Sequence, residues 1–578
     1  MGFYIRIQRT EKSSGNYVRL CRSEGEVGNE LLLVDAGKAS ASVRSLCRDQ
    51  RACTMEEMTD DRASELIATL PERISEVIKP WATRSPERLA LVEASGSWSY
   101  HQLASAVADT RRWLLESDVR PGDRVMLVGE NCRALVAILL ALGEIDAWPV
   151  LLNARLSASE VDNIHDHCGA RRVIYTTTVS RHAREHAKRH DAITEEVGTI
   201  GSVAIGPLNE AVEPEPVETE TAQRVAALIY TSGTTGLPKG VMLTHRNLLC
   251  VAAISAKIRS LSPNDRLYGA LPLTHAVGLS VVLIGSLLSG ATLYLAPRFD
   301  PVAALATIEK ERLTVVLGVP GMFALLADYA NLQGLKSLRY PNLRIISSSG
   351  APLLLALKSR IELLFGMELN NGYGVTECSP NVSQAVVGER RTDTSAGKIL
   401  PGVEVQLVGS DGKPVADGQV GELWVRGPNV MKGYYRAPEE TAAAINPEGW
   451  FNTGDLARLE EGYLFIVGRT KELIVRFGEN VYPTEVEAVL NTHPAVVRSA
   501  VVGRAVEGTE GGEEVMAFVQ LSPSASISEK ELAQHAAQHL APYKRPSQIV
   551  FVTSMPLTPT GKVIKGELSR SAPFAQAR

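Results

Sequence analysis

The sequence has few features that would assign it to a specialised class of protein. Its seven cysteines are scattered over 578 residues and form no Cys-x-x-Cys pair, which argues against a disulfide framework or a structural zinc site and favours a reducing compartment. Sixty Lys and Arg against 65 Asp and Glu leave a net charge of −5. Without a basic excess, nucleic acid is not expected as a partner.

Long hydrophobic runs are also missing. The one candidate, Ala276 to Pro297, is uncharged but interrupted by glycine and serine, so it predicts a buried helix followed by a core strand rather than a membrane span. The first residues lack the continuous apolar stretch of a secretory signal, so we expect a cytoplasmic protein.

The length suggests several folding units and a large core. Residues 1–55 show little periodicity and form an extension of doubtful role, with Met55 or Met58 as possible starts. From residue 70, short apolar strands alternate with amphipathic helices, which predicts an α/β body with parallel sheets. Between residues 404 and 426 the pattern changes to β strands, which indicates a β-rich subdomain.

A loop dense in hydroxyls and glycines is the strongest chemical signal. The segment Thr231 to Gly240 reads TSGTTGLPKG and follows the buried strand Val225 to Ile229. Glycines let backbone N–H groups approach an anion, the hydroxyls donate further bonds, and Lys239 adds positive charge. Pro238 and Gly240 flank Lys239 where the usual P-loop has Gly and Ser or Thr, so this is a phosphate-binding loop of another kind.

Further motifs follow in a fixed order. They read LPLTHAVGL, SSGAPL, NGYGVTE, GELWVRGPNVMKGYY, NTGD, GRTKELIVRFGENVYPTEVE, APYKRP and PLTPTGK. Together with TSGTTGLPKG, this series resembles the signatures of the adenylate-forming superfamily, in particular its acyl-CoA synthetase branch. The resemblance covers nearly all of the chain from residue 70 onward.

The resemblance implies a fold and a division into domains. An α/β AMP-binding domain, built of several subdomains, is expected over residues 56–468. A small α+β lid is expected over residues 469–578, with Lys471 at the hinge. In the family this lid rotates between two half-reactions, and hinges of this kind absorb the backbone change.

The resemblance also implies nucleotide-binding residues. The β- and γ-phosphates are expected at Thr231, Ser232, Gly233, Thr234, Thr235, Gly236 and Lys239. Adenine and the α-phosphate are expected at Gly350, Ala351, Gly372, Tyr373 and Thr376, and the ribose at Asp455 and Arg469. Glu377 is implied as the ligand of Mg²⁺, a hard cation that prefers oxygen.

Catalytic residues are implied in the same way. Lys562 is expected to neutralise the charge that grows between the carboxylate and the α-phosphate, with Thr376, Glu377 and His275 as the other catalytic residues. Gly478 and Arg476 are implied at the CoA site.

The acyl pocket is expected at His275, Gly278, Val319, Gly350 and Pro380, with Ala276, Val375 and Asn381 nearby. No Arg or Lys stands among these positions, which disfavours a dicarboxylic acid. A medium- or long-chain fatty acid is therefore the first expectation and an aryl acid the alternative, and hydrophobic pockets discriminate too weakly to fix the chain length.

The predicted function is AMP-forming ligation of a carboxylic acid to CoA through an acyl adenylate, with ATP and CoA as co-substrates and Mg²⁺ as cofactor. An acyl-AMP ligase that loads a separate carrier protein is the second enzyme alternative. A non-catalytic nucleotide-binding homologue is disfavoured because both Glu377 and Lys562 are present. The expected partners are small molecules, and the sequence leaves a monomer and a homodimer both open.

Overall fold

The structure is a computed structural model that describes residues 17–20, 32–35, 58–231, 239–476, 479–505, 513–522, 525–557 and 563–571. The chain divides into two compact units, Met1–Cys53 and Thr54–Arg578. In the first unit, strands β1 (Tyr17–Leu20) and β2 (Leu32–Asp35) pair antiparallel. All that follows concerns the second unit.

One main sheet has eight strands, numbered here by their order along the chain. In spatial order they are β21 (Gly433–Tyr434), β11 (Lys239–Thr244), β10 (Val225–Thr231), β6 (Trp148–Asn153), β5 (Arg124–Gly129), β7 (Arg172–Tyr175), β9 (Gly201–Ile205) and β8 (Ile193–Val197). The four strands β10, β6, β5 and β7 run parallel. Every residue of β5 and β6 is buried, as expected of parallel strands covered on both faces.

The other main sheet has thirteen strands. In spatial order they are β19 (Glu404–Val408), β20 (Gly421–Arg426), β22 (Phe451–Glu460), β23 (Tyr463–Arg469), β18 (Lys398–Ile399), β17 (Asn381–Gln384), β16 (Leu369–Gly374), β15 (Ile345–Ser348), β14 (Val315–Gly318), β12 (Arg266–Gly269), β13 (Thr292–Leu295), β3 (Leu89–Glu93) and β4 (Gly96–Ser99). The run from β16 to β3 is parallel, and the end from β19 to β17 is antiparallel. The predicted α/β body and its β-rich part are therefore confirmed.

Helices connect and cover these strands. They are α1 (Asp60–Ala68), α2 (Lys79–Arg84), α3 (Tyr100–Glu116), α4 (Arg133–Glu144), α5 (Ala158–Cys168), α6 (Arg181–Arg189), α7 (His245–Ile258), α8 (Gly285–Leu288), α9 (Pro301–Lys310), α10 (Pro320–Leu332), α11 (Leu355–Phe365) and α12 (Pro438–Ala444). Local signals explain several boundaries. Ser99 and Gln102 form a capping box at the start of α3, and Gly366, in the left-handed conformation at φ +67°, ends α11.

The run that lacks charge is buried, as the sequence predicts. It forms a π-helix over Val277–Ile284, then α8, then strand β13. Among the residues that the structure describes, no helix is long and apolar enough to cross a membrane.

The C-terminal portion has a small core of its own. Its elements are β24 (Ile474–Arg476), β25 (Glu479–Val481), α13 (Pro483–Leu490), β26 (Val496–Ala505), β27 (Glu513–Leu521), α14 (Glu529–His539), β28 (Gln548–Val552) and α15 (Lys565–Ser571). Strands β26, β27 and β28 make one sheet, and the residues packed on it include Val486, Leu490 and Leu532. This α+β arrangement agrees with the predicted small C-terminal domain.

Buried polar bonds join the two main sheets. Asn131, just after β5 of the eight-stranded sheet, donates from Nδ2 to the carbonyls of Gly269 and Leu271, both at 2.9 Å. Its Oδ1 accepts from the backbone N–H of Leu273 at 2.8 Å. One amide thus fixes the loop after β12 against the end of β5.

A buried histidine begins α7. The ring of His245 is completely buried, and its Nδ1 accepts from the backbone N–H of Ile74 at 3.3 Å. Burial lowers the pKa of His245 to about 4, and the positive charge of Arg73 lowers it further. His245 is therefore neutral in the folded protein at neutral pH.

We expect His245 to make stability depend on pH between 6.5 and 4. The unfolded chain, with the ordinary pKa near 6.5, binds more protons there than the folded chain does, so stability falls as the pH falls. The full effect is about 3 kcal/mol below pH 4. His245→Gln, which keeps a hydrogen-bond acceptor but does not titrate, should flatten the pH dependence of the melting temperature in this range.

The same substitution at the exposed His101 serves as the control and should leave the pH dependence as it is in the unmodified chain. If the melting temperature of His245→Gln changes with pH as that of the unmodified chain does, His245 does not contribute to the pH dependence of stability.

Candidate active site

The predicted site residues gather at one edge of the thirteen-stranded sheet. Strands β12, β14, β15 and β16 are parallel neighbours, so the segments that follow them leave at the same carboxyl edge. These segments carry His275, Val319, Gly350 and Glu377 respectively. Ligands bind in α/β proteins at this kind of edge, and three motifs far apart in the sequence meet here together with Val319.

The phosphate-binding loop is reached from the eight-stranded sheet. Thr231 ends β10 and is paired with Lys239 at the start of β11, so the two ends of the loop are neighbours. The predicted residues Ser232, Gly233, Thr234, Thr235 and Gly236 lie outside the described residues.

Tyr434 joins this loop to the predicted metal ligand. Its strand pairs with β11, and the Nζ of Lys239 lies 5.0 Å from the centre of its ring. Its hydroxyl donates to Oε1 of Glu377 at 3.0 Å. Lys239 and Glu377, 138 positions apart in the sequence, therefore contact the same tyrosine.

Two effects oppose one another at the Glu377 carboxyl. Burial raises its pKa, whereas the hydrogen bond from Tyr434 and the positive charge of Arg469 lower it, and burial prevails. The backbone at this turn is held as well, since the carbonyl of Glu377 accepts from the N–H of Met431 at 2.8 Å. The site thus holds one oriented carboxylate, and the neighbouring hydroxyl of Tyr434 and charge of Arg469 favour its ionised form.

A second cluster connects β16 with β22 and β23. Tyr373 donates its hydroxyl proton to Oδ2 of Asp455 at 2.6 Å, and the Nε of Arg469 contacts Oδ1 at 3.0 Å. Asp455 and Arg469 face each other across the β22–β23 pair. The predicted adenine residue and both predicted ribose residues are thus brought together.

Close backbone packing requires glycine at the predicted Gly278 and at Gly374, which lies in the motif NGYGVTE. A Cβ on Gly278 would lie 2.1 Å from the carbonyl oxygen of Pro272, and one on Gly374 would lie 1.8 Å from that of Pro380. Gly350 has φ +81°, and a Cβ there would lie 3.6 Å from Val319 Cγ1, so these two predicted pocket residues are neighbours. Ala351 follows Gly350 directly, and Thr376 precedes Glu377.

His275 has a buried, neutral ring. Its Nε2 is buried and has no hydrogen-bond partner among the described residues. Burial lowers the pKa of His275 to about 4, and the charge of Arg155 contributes. At neutral pH the imidazole is therefore uncharged, and it offers a polar atom to a ligand that reaches it.

A cavity lies beside this sheet edge. Its apolar and backbone lining comes from Val277, Val281, Leu317 and Gly372. Its polar lining comes from Arg259, Ser347, Ser349 and Asn381. Arg259 stands at the far end of α7, sixteen positions before His275, and only the fold brings it to this cavity. The residues predicted to form the acyl pocket stay a prediction.

The C-terminal portion places its predicted residues as follows. Lys471 lies in the 3₁₀ turn Thr470–Glu472, which follows β23. Arg476 donates from Nη1 to the carbonyls of Tyr543, at 3.2 Å, and Arg545, at 2.7 Å. Lys562 and Gly478 lie outside the described residues, and the roles assigned to all four remain predictions.

Two residues of the site were missed by sequence reasoning. Tyr434 lies within a recognised motif, GELWVRGPNVMKGYY, but nothing in the sequence shows that its hydroxyl reaches Glu377. Arg259 lies in no motif, and its position at the cavity follows from the packing of α7.

The residues present fit a magnesium ion. Mg²⁺ is commonly held by one or two carboxylates together with the phosphates of a substrate. No group of three or more His, Cys, Asp or Glu side chains able to hold a metal is found among the described residues, and Glu377 provides the single carboxylate that this mode of binding needs.

Comparison with known proteins settles the family. Residues 78–435 match the model of the AMP-binding enzyme family, and residues 485–562 match that of the AMP-binding enzyme C-terminal domain. The chain belongs to the AMP-binding enzyme family. It is an AMP-forming acid–thiol ligase that uses ATP and CoA as co-substrates and Mg²⁺ as cofactor.

Individual relatives align with most of the sequence of this ligase. It is 38% identical to a feruloyl-CoA synthase from Amycolatopsis sp., over 85% of this chain and 97% of the relative. It is 35% identical to a 2-succinylbenzoate–CoA ligase from Geobacillus kaustophilus, over 86% and 97%. Among solved structures, the O-succinylbenzoate coenzyme A synthetase from Bacillus subtilis, in complex with ATP and magnesium ion, superposes with a TM-score of 0.72 at 29% identity, over 85% of this chain and 99% of that one.

We expect Tyr434→Phe to make the ligase more sensitive to acid. The substitution keeps the ring beside Lys239 but removes the hydrogen bond that favours ionised Glu377, so the pKa of Glu377 rises further. The acid limb of the pH profile of AMP release should move to higher pH.

Tyr435→Phe is the matched control, since the neighbouring hydroxyl donates to Glu215 at 2.6 Å and not to Glu377. An acid limb that stays in place in Tyr434→Phe would contradict the coupling between Tyr434 and Glu377.

Proposed function

We propose that this ligase activates an aromatic carboxylic acid as its adenylate and transfers the acyl group to CoA. The observation that carries the proposal is the convergence of Lys239 and Glu377 on Tyr434, beside the Tyr373–Asp455–Arg469 cluster. This arrangement brings three groups to one sheet edge: the cation of Lys239 for the phosphates, the carboxylate of Glu377 for the metal ion, and the carboxylate of Asp455 for the ribose hydroxyls.

ATP binding divides between the two clusters in this proposal. The loop Thr231–Lys239 holds the β- and γ-phosphates, and Glu377 would hold the Mg²⁺. Tyr373 stacks on adenine, with Gly350, Ala351 and Gly372 giving the ring room, and Asp455 and Arg469 hold the ribose. When bound, the ion neutralises phosphate charge and orients the leaving pyrophosphate.

The first half-reaction forms the adenylate. A carboxylate oxygen of the acid attacks the α-phosphorus, and the bond to the bridging oxygen breaks to release pyrophosphate. Lys562 stabilises the negative charge between carboxylate and α-phosphate, and Thr376 contacts the α-phosphate. Neutral His275 orients the carboxylate through its unpartnered Nε2, since a protonated ring would pair with the carboxylate and weaken its attack.

The second half-reaction forms the thioester. The sulfur of CoA attacks the acyl carbon, the thiol loses its proton, and AMP leaves. We assign the AMP-binding domain to residues 56–468 and the lid to residues 469–578, with Lys471 as the hinge that lets Gly478 and Arg476 approach CoA. The 3₁₀ turn Thr470–Glu472 at the end of β23 supports a hinge there.

An aromatic acid replaces the fatty acid that the sequence analysis put first. The feruloyl-CoA synthase and the 2-succinylbenzoate–CoA ligase named above are both named for aromatic acids, and the chain covers 97% of each. The mixed lining of the cavity supports the same choice, since Arg259, Ser347 and Ser349 stand beside its apolar residues. A long alkyl chain would offer these polar groups no hydrogen bond.

The test is release of AMP by the purified chain with ATP, Mg²⁺ and CoA across aromatic, fatty and dicarboxylic acids. We expect CoA-dependent release with aromatic acids. Glu377→Gln should reduce it about a hundredfold or more, because a metal ion contributes several kcal/mol to such a step.

Glu448→Gln is the control for this variant, because Glu448 is exposed. Release with fatty acids alone would contradict the aromatic assignment. Pyrophosphate exchange without thioester formation would indicate a carrier protein as the acceptor instead of CoA.

A further inference from the structure

Arg259 is held rigidly at the end of α7. Its backbone N–H donates to the carbonyl of Ser255 at 3.2 Å and closes the helix. Its own carbonyl accepts from Nη1 of Arg344 at 2.9 Å, and Arg344 is paired with Asp265 at 2.8 Å. The backbone that carries the Arg259 side chain is therefore fixed against the start of β12 and of β15.

Within the described part of the chain, the side chain of Arg259 has no anionic partner. The residue is only 7% exposed, and its Nη1 donates to the carbonyl of Ser255 at 3.3 Å. This is its one side-chain hydrogen bond within the described part of the chain, and no carboxylate in that part forms an ion pair with it. A guanidinium has five N–H donors, so four are left for a ligand.

Burying a cation without an anionic partner costs free energy, so its presence calls for a physical reason. Transfer of a charge out of water is unfavourable unless it is paired or shifts its pKa. Burial lowers the pKa of Arg259 to about 10, which still leaves the guanidinium charged at neutral pH. The carbonyl at the helix end compensates part of this charge, but one bond at 3.3 Å does not satisfy a five-donor group.

The guanidinium also lines a cavity beside the predicted site residues. Arg259 lines the same cavity as Gly372, the residue before the predicted adenine contact Tyr373, and as Ser349, the residue before Gly350. Val277, Val281 and Leu317 form the apolar part of this cavity. The cavity therefore places apolar side chains beside one fixed, buried positive charge.

We propose that Arg259 binds a second carboxylate of the acid, so that the preferred substrates are aromatic acids with two carboxylates. This rests on the proposed function, because one carboxylate is adenylated at the sheet edge while the other pairs with Arg259. The planar guanidinium matches a carboxylate with two parallel hydrogen bonds. A monocarboxylic acid leaves the cation buried and unpaired, and sites built to bind a polar group reject analogues that lack it.

Binding to the full chain with Mg²⁺ and α,β-methylene-ATP tests this without turnover. The probes are two matched sets: cinnamate with 4-carboxycinnamate, and 4-oxo-4-phenylbutanoate with its 2-carboxyphenyl derivative. By calorimetry, we expect at least one diacid to bind about tenfold to a hundredfold more tightly than its monoacid, the usual range for a charge-assisted hydrogen bond.

Two variants test whether Arg259 causes the preference for diacids. Arg259→Met should remove this preference by weakening the binding of the diacid alone. Arg259→Lys should keep part of it, because lysine retains the charge but not the planar fork. Arg246→Met is the matched control on the same helix, since the side chain of Arg246 donates to the carbonyl of Ile67. It should leave the diacid preference unchanged.

Equal binding of monoacids and diacids would overturn the inference. An equal loss of monoacid and diacid binding in Arg259→Met would also overturn the inference, because it would indicate a structural role. If Arg259→Met fails to fold, as judged by its melting curve, an unchanged diacid preference in Arg259→Lys overturns the inference, and a reduced one supports it. AMP release with monoacids and no diacid preference would leave the proposed function standing, whereas diacid binding without AMP release would contradict the function alone.

Discussion

The site exists only because two sheets meet at their carboxyl edges, and a few buried polar groups hold them there. The side chain of Asn131 makes three hydrogen bonds across the junction, to the strand and loop that lead to His275. A buried amide whose groups are all paired is hard to move, because any displacement leaves several polar groups unsatisfied at once. The phosphate-binding loop of one sheet can therefore serve a sheet edge that belongs to the other.

Strand pairing does much of the chemical positioning at this junction. The β11–β21 pair sets Tyr434 beside Lys239, and the β22–β23 pair sets Arg469 opposite Asp455. Because register fixes which side chains are neighbours, these contacts need no flexible loop to find each other. The Glu377 turn is added to this frame through a backbone bond and a tyrosine hydroxyl. Groups that strands hold in place thus favour the ionised form of Glu377, although burial still raises its pKa.

The charges of the site follow two different physical rules. Asp455 and Arg469 pair with each other within the chain. Arg259, by contrast, is buried with one long hydrogen bond, to a helix carbonyl, among the residues that the structure describes. A charge left in this state lowers the stability of the free protein and strengthens the binding of a complementary ligand. Such an arrangement gives selectivity by penalising ligands that lack the partner group.

The sequence by itself determined the family and the α/β class, and it predicted most of the residues at the nucleotide end. Many of its signals have local causes, such as the left-handed Gly366 that ends α11 or the close backbone contact at Gly374, and such causes can be recognised in a linear pattern. Only the tertiary structure decided that Tyr434 bridges Lys239 and Glu377, and that Arg259 lines the same cavity as Gly372. Both depend on packing between segments distant in the sequence. The direction of the side chain at a helix end cannot be predicted from local spacing or propensity. It is set by the elements against which the helix packs.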